Sequence, residues 1–184
     1  MEPIWTLNRD RCALIVVDMQ NDFVTGGLGT KEARNIVEKV KKAVGEFKGD
    51  LIFTMDTHDE NYLETLEGKN LPVKHCIKGT IGWQIVPELN ETAKSEKTEV
   101  IIEKGSFGSP LLARIIHENK YDEVYLCGVC TGICVISNAL VIKASNPDVP
   151  ITVLQDLCAC VTPESHETAL KAMQTCQIKT ATWN

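Results

Sequence analysis

Long apolar runs are missing from this 184-residue chain: no stretch of about 18 or more apolar residues occurs, so no membrane-spanning helix is expected. Dense basic charge is missing too. The net charge is −6 and the richest basic run is KVKK at 39–42, so neither nucleic acid nor an anionic membrane is an expected partner. The opening stretch MEPIWTLNRDR has no basic region followed by an apolar run, which argues against an export signal and for a cytoplasmic location. Repeats, low-complexity tracts and interdomain linkers are absent, and residues 1–184 read as a single domain. A G-x-G-x-x-G placed between strand and helix is also absent. The loop NDFVTGGLG at 21–29 has glycines without that placement, so a catalytically silent dinucleotide-binding module is poorly supported.

What is present is a soluble-protein composition, 43% hydrophobic and 24% charged, and eight cysteines. With no export signal, the cysteines read as reduced and mostly as small buried hydrophobes. ALIVVDM at 13–19 and LIFTMDT at 51–57 are apolar runs with an acid near the end, which suits strands buried on both faces. Residues 21–30 read as a Gly-rich loop. Lys31–Lys48 has helical spacing, with Ile36, Val40, Val44 and Phe47 on one side. Residues 58–97 are broken by Gly68, Pro72, Gly79, Gly82 and Pro87, a long connection of the kind that often carries a site. EVIIE at 99–103 is a third strand. Pro110–Asn119 is a helix capped by Ser109. Glu123–Ala144 runs from strand through Gly128 and Thr131-Gly132 into a helix. Val149–Leu154 is a fifth strand, Pro163–Thr175 a helix capped by Thr162, and Ile178–Thr182 a short last strand. The alternation predicts an α/β fold, a doubly wound parallel six-stranded sheet with helices on both faces.

In such sheets ligands bind at the carboxyl ends of the strands. That rule gathers Asp18, Asp56, Lys104 and Cys134 on one rim. Cys134 is expected just inside a helix, where the unpaired N–H groups of the first turn lower a thiol's pKa and favour the nucleophilic thiolate. Asp18 is a candidate base and later acid, Lys104 a candidate cation, and backbone N–H groups in the turn Cys130–Cys134 candidate donors to an oxyanion. Asp56-Thr57-His58 puts two ligand-type side chains on one side of a strand end, and His75 follows seventeen residues later. Carboxylate and imidazole suit Zn²⁺, Fe²⁺ or Mn²⁺.

The blocks IVVDMQNDF at 15–23, EKGSFGSP at 103–110, CGVCTGICV at 127–135 and DLCACVTPESHETAL at 156–170 resemble, in order, those of the isochorismatase-like cysteine hydrolases. The resemblance implies a triad of Asp18, Lys104 and Cys134. It also implies a cis peptide before Cys130, with the N–H groups of Cys130 and Cys134 as oxyanion hole. A nucleophilic cysteine points to hydrolysis of a C–N bond through a thioester, and the superfamily commonly forms homo-oligomers. Asp56, His58 and the pair His75-Cys76 are similar to the metal site of its nicotinamidases. There a divalent metal positions the pyridine nitrogen of a small-molecule amide. The third ligand in that pattern is a histidine or glutamate. No histidine lies between His58 and His75, so Glu64 and Glu67 are the candidates, with Glu67 preferred because it is nearer His75.

One departure is that Leu71-Pro72-Val73-Lys74 lacks the aromatic residue usual before the His-Cys pair. Phe23 can supply a substrate-binding ring wall, with Trp83 as a second candidate. The expected reaction is nicotinamide to nicotinate plus ammonia. The alternative within the class is an amidase acting on a carbamoyl amino acid or ureide. Outside it, Cys127-x-x-Cys130 with Cys134 allows a thiol redox or metal-cluster protein. No Pro or Trp flanks that pair, no second CxxC follows, and Cys127 sits inside a strand. The helix after Cys134 is apolar nearly all round, which predicts cover on most sides by its neighbours or another subunit.

Overall fold

The computed structural model describes residues 11–183; the stretch read for an export signal lies almost wholly outside them. Six strands form one parallel sheet: β1 (Cys12–Val17), β2 (Asp50–Asp56), β3 (Thr98–Lys104), β4 (Glu123–Val129), β5 (Ile151–Ala159) and β6 (Lys179–Ala181). Their spatial order is β3-β2-β1-β4-β5-β6. The order reverses between β1 and β4, and a doubly wound sheet opens a crevice at such a point. Alternating side chains divide between two cores. Leu14 and Val16 of β1 face one, with Val40, Val44, Phe53 and Leu89. Ala13, Ile15 and Val17 face the other, with Leu112, Ile116, Val135, Ile142 and Met173.

The first core is covered by α2 (Lys31–Glu46) and by α4 (Pro87–Ala93). Helix α2 is capped by the Thr30 hydroxyl, which accepts the Ala33 N–H at 3.0 Å, and it buries Ala33, Ile36, Val37, Val40, Ala43 and Val44. The second core is covered by α5 (Pro110–Asn119), α6 (Ile136–Ser145) and α7 (Pro163–Thr175). Ser109 caps α5 and Thr162 caps α7, as the sequence predicts.

The structure departs from the sequence reading in three places. The loop at 21–30 begins with one helical turn, α1 (Asn21–Val24). The long connection carries a 3₁₀ turn at Tyr62–Glu64 and a short α3 (Leu66–Asn70), as well as α4. Strand β5 runs on to Ala159 through Gln155 and Asp156, a polar pair that reads as a strand end. A register shift against β4 accommodates the pair half-buried, and the Asp156 carboxylate accepts the Trp183 N–H at 2.8 Å. Helix α6 turns Asn138, Ala139 and Ile142 inward and leaves Leu140 on its open side.

Strand register sets the rim. Val17 lies between Thr54 and Gly128, and Asp56 lies beside Lys104. Gly128 has φ +113°, and a Cβ there would meet the Val17 carbonyl oxygen at 2.1 Å. Gly128→Ala is therefore expected to cost at least about 3 kcal/mol, from strained backbone and a clash against the central strand. Denaturant unfolding checks this; a loss under about 1 kcal/mol would show that the strand ends can separate freely.

Candidate active site

Asp18 is the first residue past β1, and its φ of +50° lies in the left-handed region, which Asp tolerates better than most residues. It is fully buried. Its Oδ1 accepts the Thr54 hydroxyl at 2.6 Å, and its Oδ2 lies 2.6 Å from the Lys104 ammonium. At that distance Oδ2 and the ammonium form a tight ion pair, and the Cys134 thiol lies within reach of the same carboxylate. Lys104, at the end of β3, also reaches Asp56 Oδ1 at 3.4 Å, the Ser106 carbonyl at 3.0 Å and Cys134 Sγ at 3.7 Å.

Cys134 sits in a π-helical turn, Thr131–Val135, that joins β4 to α6. Such turns recur at functional sites. The N–H groups of Ile133 and Val135 turn back to the Cys130 carbonyl. The peptide joining Val129 and Cys130 is cis.

The electrostatics correct one expectation. Cys134 is not a depressed thiol: burial pushes it well above its ordinary value and Asp18 adds to the rise, against the opposing charge of Lys104. Asp18 is raised as well, by burial first, with Lys104 opposing. Lys104 is raised despite burial because Asp18, Cys134 and Asp56 all favour its charged form. The resting thiol is therefore protonated, beside a buried carboxylate and a firmly charged ammonium.

Asp56, His58, Glu67 and His75 form a second group, with one ligand atom from each lying within 4.8 Å of the others. His58 Nε2 is 3.0 Å from Asp56 Oδ2 and 3.6 Å from Glu67 Oε1. His75 Nε2 is 3.4 Å and 3.7 Å from the same two atoms. Glu67, on α3, joins the group and Glu64, on the 3₁₀ turn, does not. The donor set fits a divalent cation. His75 Nδ1 donates to the Val73 carbonyl at 2.8 Å, which leaves its Nε2 lone pair facing the group. Charge argues the same way. Ionised, the carboxylates of Asp18, Asp56 and Glu67 set three negative charges against the one positive charge of Lys104. The deficit of two is the charge of one such ion.

One cavity of about 300 Å³ is lined both by Cys134 and Cys130 and by Asp56, Glu67 and His75. Its apolar wall is Phe23, Leu28, Leu71, Phe107, Ile133 and Val161. Phe23 also packs on the His75 ring, with centroids 5.5 Å apart. Trp83 does not line this cavity; its indole N–H donates to the Thr57 hydroxyl at 2.9 Å.

Several contributors escape a reading of the sequence. Phe107 stands three residues after Lys104, a usable signal, yet a loop aromatic alone assigns no wall. Tyr62 packs its ring against His58 and His75 at 4.7 and 4.9 Å, and its hydroxyl donates to the Leu71 carbonyl at 3.0 Å. Gln20 brackets the Asp56 main chain: its side-chain oxygen accepts the Asp56 N–H at 2.7 Å and its amide donates to the Asp56 carbonyl at 2.8 Å. Asp22 accepts the Cys76 N–H at 2.7 Å, fixing the residue after His75.

Gln20→Ala removes the bracket without touching a ligand atom. Zn²⁺ affinity should fall roughly ten- to hundred-fold, the usual cost of losing an outer partner of a metal ligand. Competition against a chromogenic chelator measures it, with the thermal midpoint in chelator as the control for folding. Unchanged affinity would mean that Asp56 needs no such support.

Comparison with known proteins accords with this arrangement. An isochorismatase domain model matches residues 12–184. A Bacillus subtilis protein described as an uncharacterized isochorismatase family protein, PncA, is 33% identical over 170 residues, covering 86% of this chain and 91% of that one. The nicotinamidase/pyrazinamidase of Mycobacterium tuberculosis is 29% identical over 188 residues, covering 91% and 96%. The crystal structure of the pyrazinamidase of Pyrococcus horikoshii in complex with zinc aligns with a TM-score of 0.79 at 32% identity, covering 94% and 99%. The match takes in all six strands and every residue of the site, and the chain belongs to the isochorismatase domain family.

Proposed function

We propose that the chain hydrolyses the carboxamide of nicotinamide to nicotinate and ammonia, through a thioester on Cys134. The observation that carries the reading is a cavity lined both by the thiol and by Asp56, Glu67 and His75, three of the four residues of the ligand group. Its volume of about 300 Å³ stands at the small end for ligand sites, which suits a one-ring amide. The naming of the Mycobacterium tuberculosis relative as a nicotinamidase/pyrazinamidase supports the same substrate class.

In this mechanism Asp18 takes the Cys134 proton as the sulfur attacks the amide carbon. The base is suited to the task because the Cys134 thiol lies within its reach while the Lys104 ammonium pairs with its Oδ2. Lys104 stays charged throughout and offsets the negative charge that passes between carboxylate and sulfur. The developing oxyanion rests on the N–H groups of Cys130 and Cys134. Asp18 returns its proton to the departing ammonia. It then takes one from the water that attacks the thioester, and the freed sulfur is reprotonated as nicotinate leaves. Phe23 and the apolar wall hold the ring and exclude bulk water. Asp56, His58, Glu67 and His75 would hold a divalent ion, for which Zn²⁺, Fe²⁺ and Mn²⁺ all suit the donors. Bound there, it supplies a fixed positive charge and a Lewis-acidic position for a ring nitrogen.

Cys134→Ala should abolish ammonia release from nicotinamide while circular dichroism and the thermal midpoint stay close to those of the parent. Undiminished release would rule the thioester out. Faster turnover of a carbamoyl amino acid or ureide in the same assay would instead move the substrate assignment. The raised Asp18 sets the acid limb of kcat/KM above the ordinary carboxylate range, because activity is lost as falling pH protonates the base. Thr54→Val removes a hydrogen bond that favours the ionised form, so the limb should move to still higher pH. A limb that stays put or moves down would show that another group titrates.

A further inference from the structure

Neither sulfur of Cys130 and Cys160 has a part in the proposed chemistry, yet both are held beside it. Register brings them together. Strand β4 pairs Gly128 with Cys158 and Val129 with Ala159, where both strands end, and Cys130 and Cys160 follow directly. Neighbouring strands lie about 4.8 Å apart, so the two segments leave the sheet at a separation of the order a disulfide spans, roughly 4.4–6.8 Å between Cα atoms. Each sulfur is the first influence on the other's acidity, which marks them as neighbours. Cys160 Sγ also accepts the Gly132 N–H of the π-helical turn at 3.4 Å. Cys130 lines the cavity, and Cys160 lies buried behind it.

We propose that Cys130 and Cys160 are a reversible redox pair on the wall of the active site, closed to a disulfide by a hydroperoxide and reopened by a dithiol. The other sulfurs are less suited. Cys127 and Cys158 lie within β4 and β5, away from the cavity lining, and burial pushes both upward. Cys176 is exposed, on the last turn after α7. In the proposed pair, hydrogen bonds from Cys130, then from Ser165 and the N–H groups of Gly132 and Val161, bring Cys160 down to about 5 against its burial. Cys130 is pushed up in return, by its bond to Cys160 first. One proton is thus shared between two sulfurs.

The chemistry balances with hydrogen peroxide as oxidant. Transfer of the shared proton to Cys160 puts the negative charge on Cys130, at the cavity. The Cys130 sulfur attacks one peroxide oxygen: an S–O bond forms, the O–O bond breaks, and the departing hydroxide takes a proton from solvent to become water. Cys160 then gives its proton to solvent and attacks the Cys130 sulfur. The S–S bond forms, the S–O bond breaks, and a second hydroxide leaves as water. The pair has lost two electrons and its one proton, a second proton has come from solvent, and the peroxide has become two waters. The new bond ties down Cys130, the residue that opens the oxyanion turn. Its effect on turnover rests on the function proposed above; its formation does not.

The test treats the reduced full chain with equimolar hydrogen peroxide, then digests it without reductant and assigns the link by fragment mass. The expected product is a Cys130–Cys160 link, lost on dithiothreitol treatment and absent from Cys160→Ala. Amide hydrolysis should fall roughly a hundred-fold as the link forms, the order for a lost oxyanion donor, and return on reduction. Cys160→Ala should keep its basal activity and resist this reversible loss. Cys160→Ser serves the same comparison where the alanine variant folds poorly. A link carried by Cys134, or no link between Cys130 and Cys160, overturns the proposal. A chain that forms the link but hydrolyses no nicotinamide keeps the redox pair and sinks the function instead.

Discussion

A buried ammonium must be surrounded by negative charge or it will not stay buried, and the Lys104 ammonium meets that demand at the centre of this molecule. Removing such a charge from water costs several kcal/mol before any partner is counted. Asp18, Asp56 and Cys134 are the partners, each delivered by a different chain segment: the end of β1, the end of β2 and the turn after β4. One cation therefore ties together the parallel strands β1, β2 and β3 and the nucleophile's turn. Strand register is what allows it, since Asp56 and Lys104 are direct neighbours across β2 and β3. A one-residue slip would turn these side chains to the opposite face.

The same cation leaves a negative remainder, and the surrounding loops are built to hold it. Glu67 adds a further carboxylate close to Asp56, and burial together with Asp56 raises it. Asp56 behaves oppositely. Burial alone would raise it, but hydrogen bonds to His58 and His75 and the charge of Lys104 hold it well below the ordinary carboxylate range. It is the firm anion of the cluster, facing the ammonium on one side and the imidazoles on the other. Much of the support comes from one short stretch after β1. Gln20 brackets Asp56, Asn21 donates to the Ile81 carbonyl at 2.8 Å, Asp22 fixes Cys76, and Phe23 packs on His75. The block that supplies Asp18 thus also organises the loop carrying His75, so the two ends of the site are positioned by a single segment.

Much of this is legible from residue types at strand ends. Apolar runs closing on Asp18 and Asp56, with Lys104 and Cys134 just past their strands, name the rim as soon as the sheet is parallel. Groups that act through distant partners are not legible. Gln20 reads as a loop amide until Asp56, thirty-six residues on, is found between its two polar atoms. Tyr62 reads as one aromatic in an irregular connection until both imidazoles stand against its ring. The end of β5 is hidden for another reason. Gln155 and Asp156 look like a turn, and only the register shift with β4 and the Trp183 N–H explain their place inside a strand. Trp83 misleads in the opposite sense, because a large ring near the motif suggests a wall while its N–H is committed to Thr57.

The sharpest divergence concerns which sulfur the turn after β4 stabilises as a thiolate. The argument that N–H groups at a helix start favour an anion is sound, but sequence position does not say which atom they reach. In the folded chain the Gly132 N–H points to Cys160, twenty-eight residues away, and not to Cys134 two residues on. Cys134 is left with burial and a neighbouring carboxylate, and its thiol rises. The consequence for reactivity is a division of labour. A nucleophile that keeps its proton until a carboxylate removes it stays unreactive toward stray electrophiles. Reactivity toward an oxidant is left to the pair one strand away, where Cys160 shares a proton with Cys130 at the cavity wall. The local rule is obeyed, and the tertiary fold decides which cysteine obeys it.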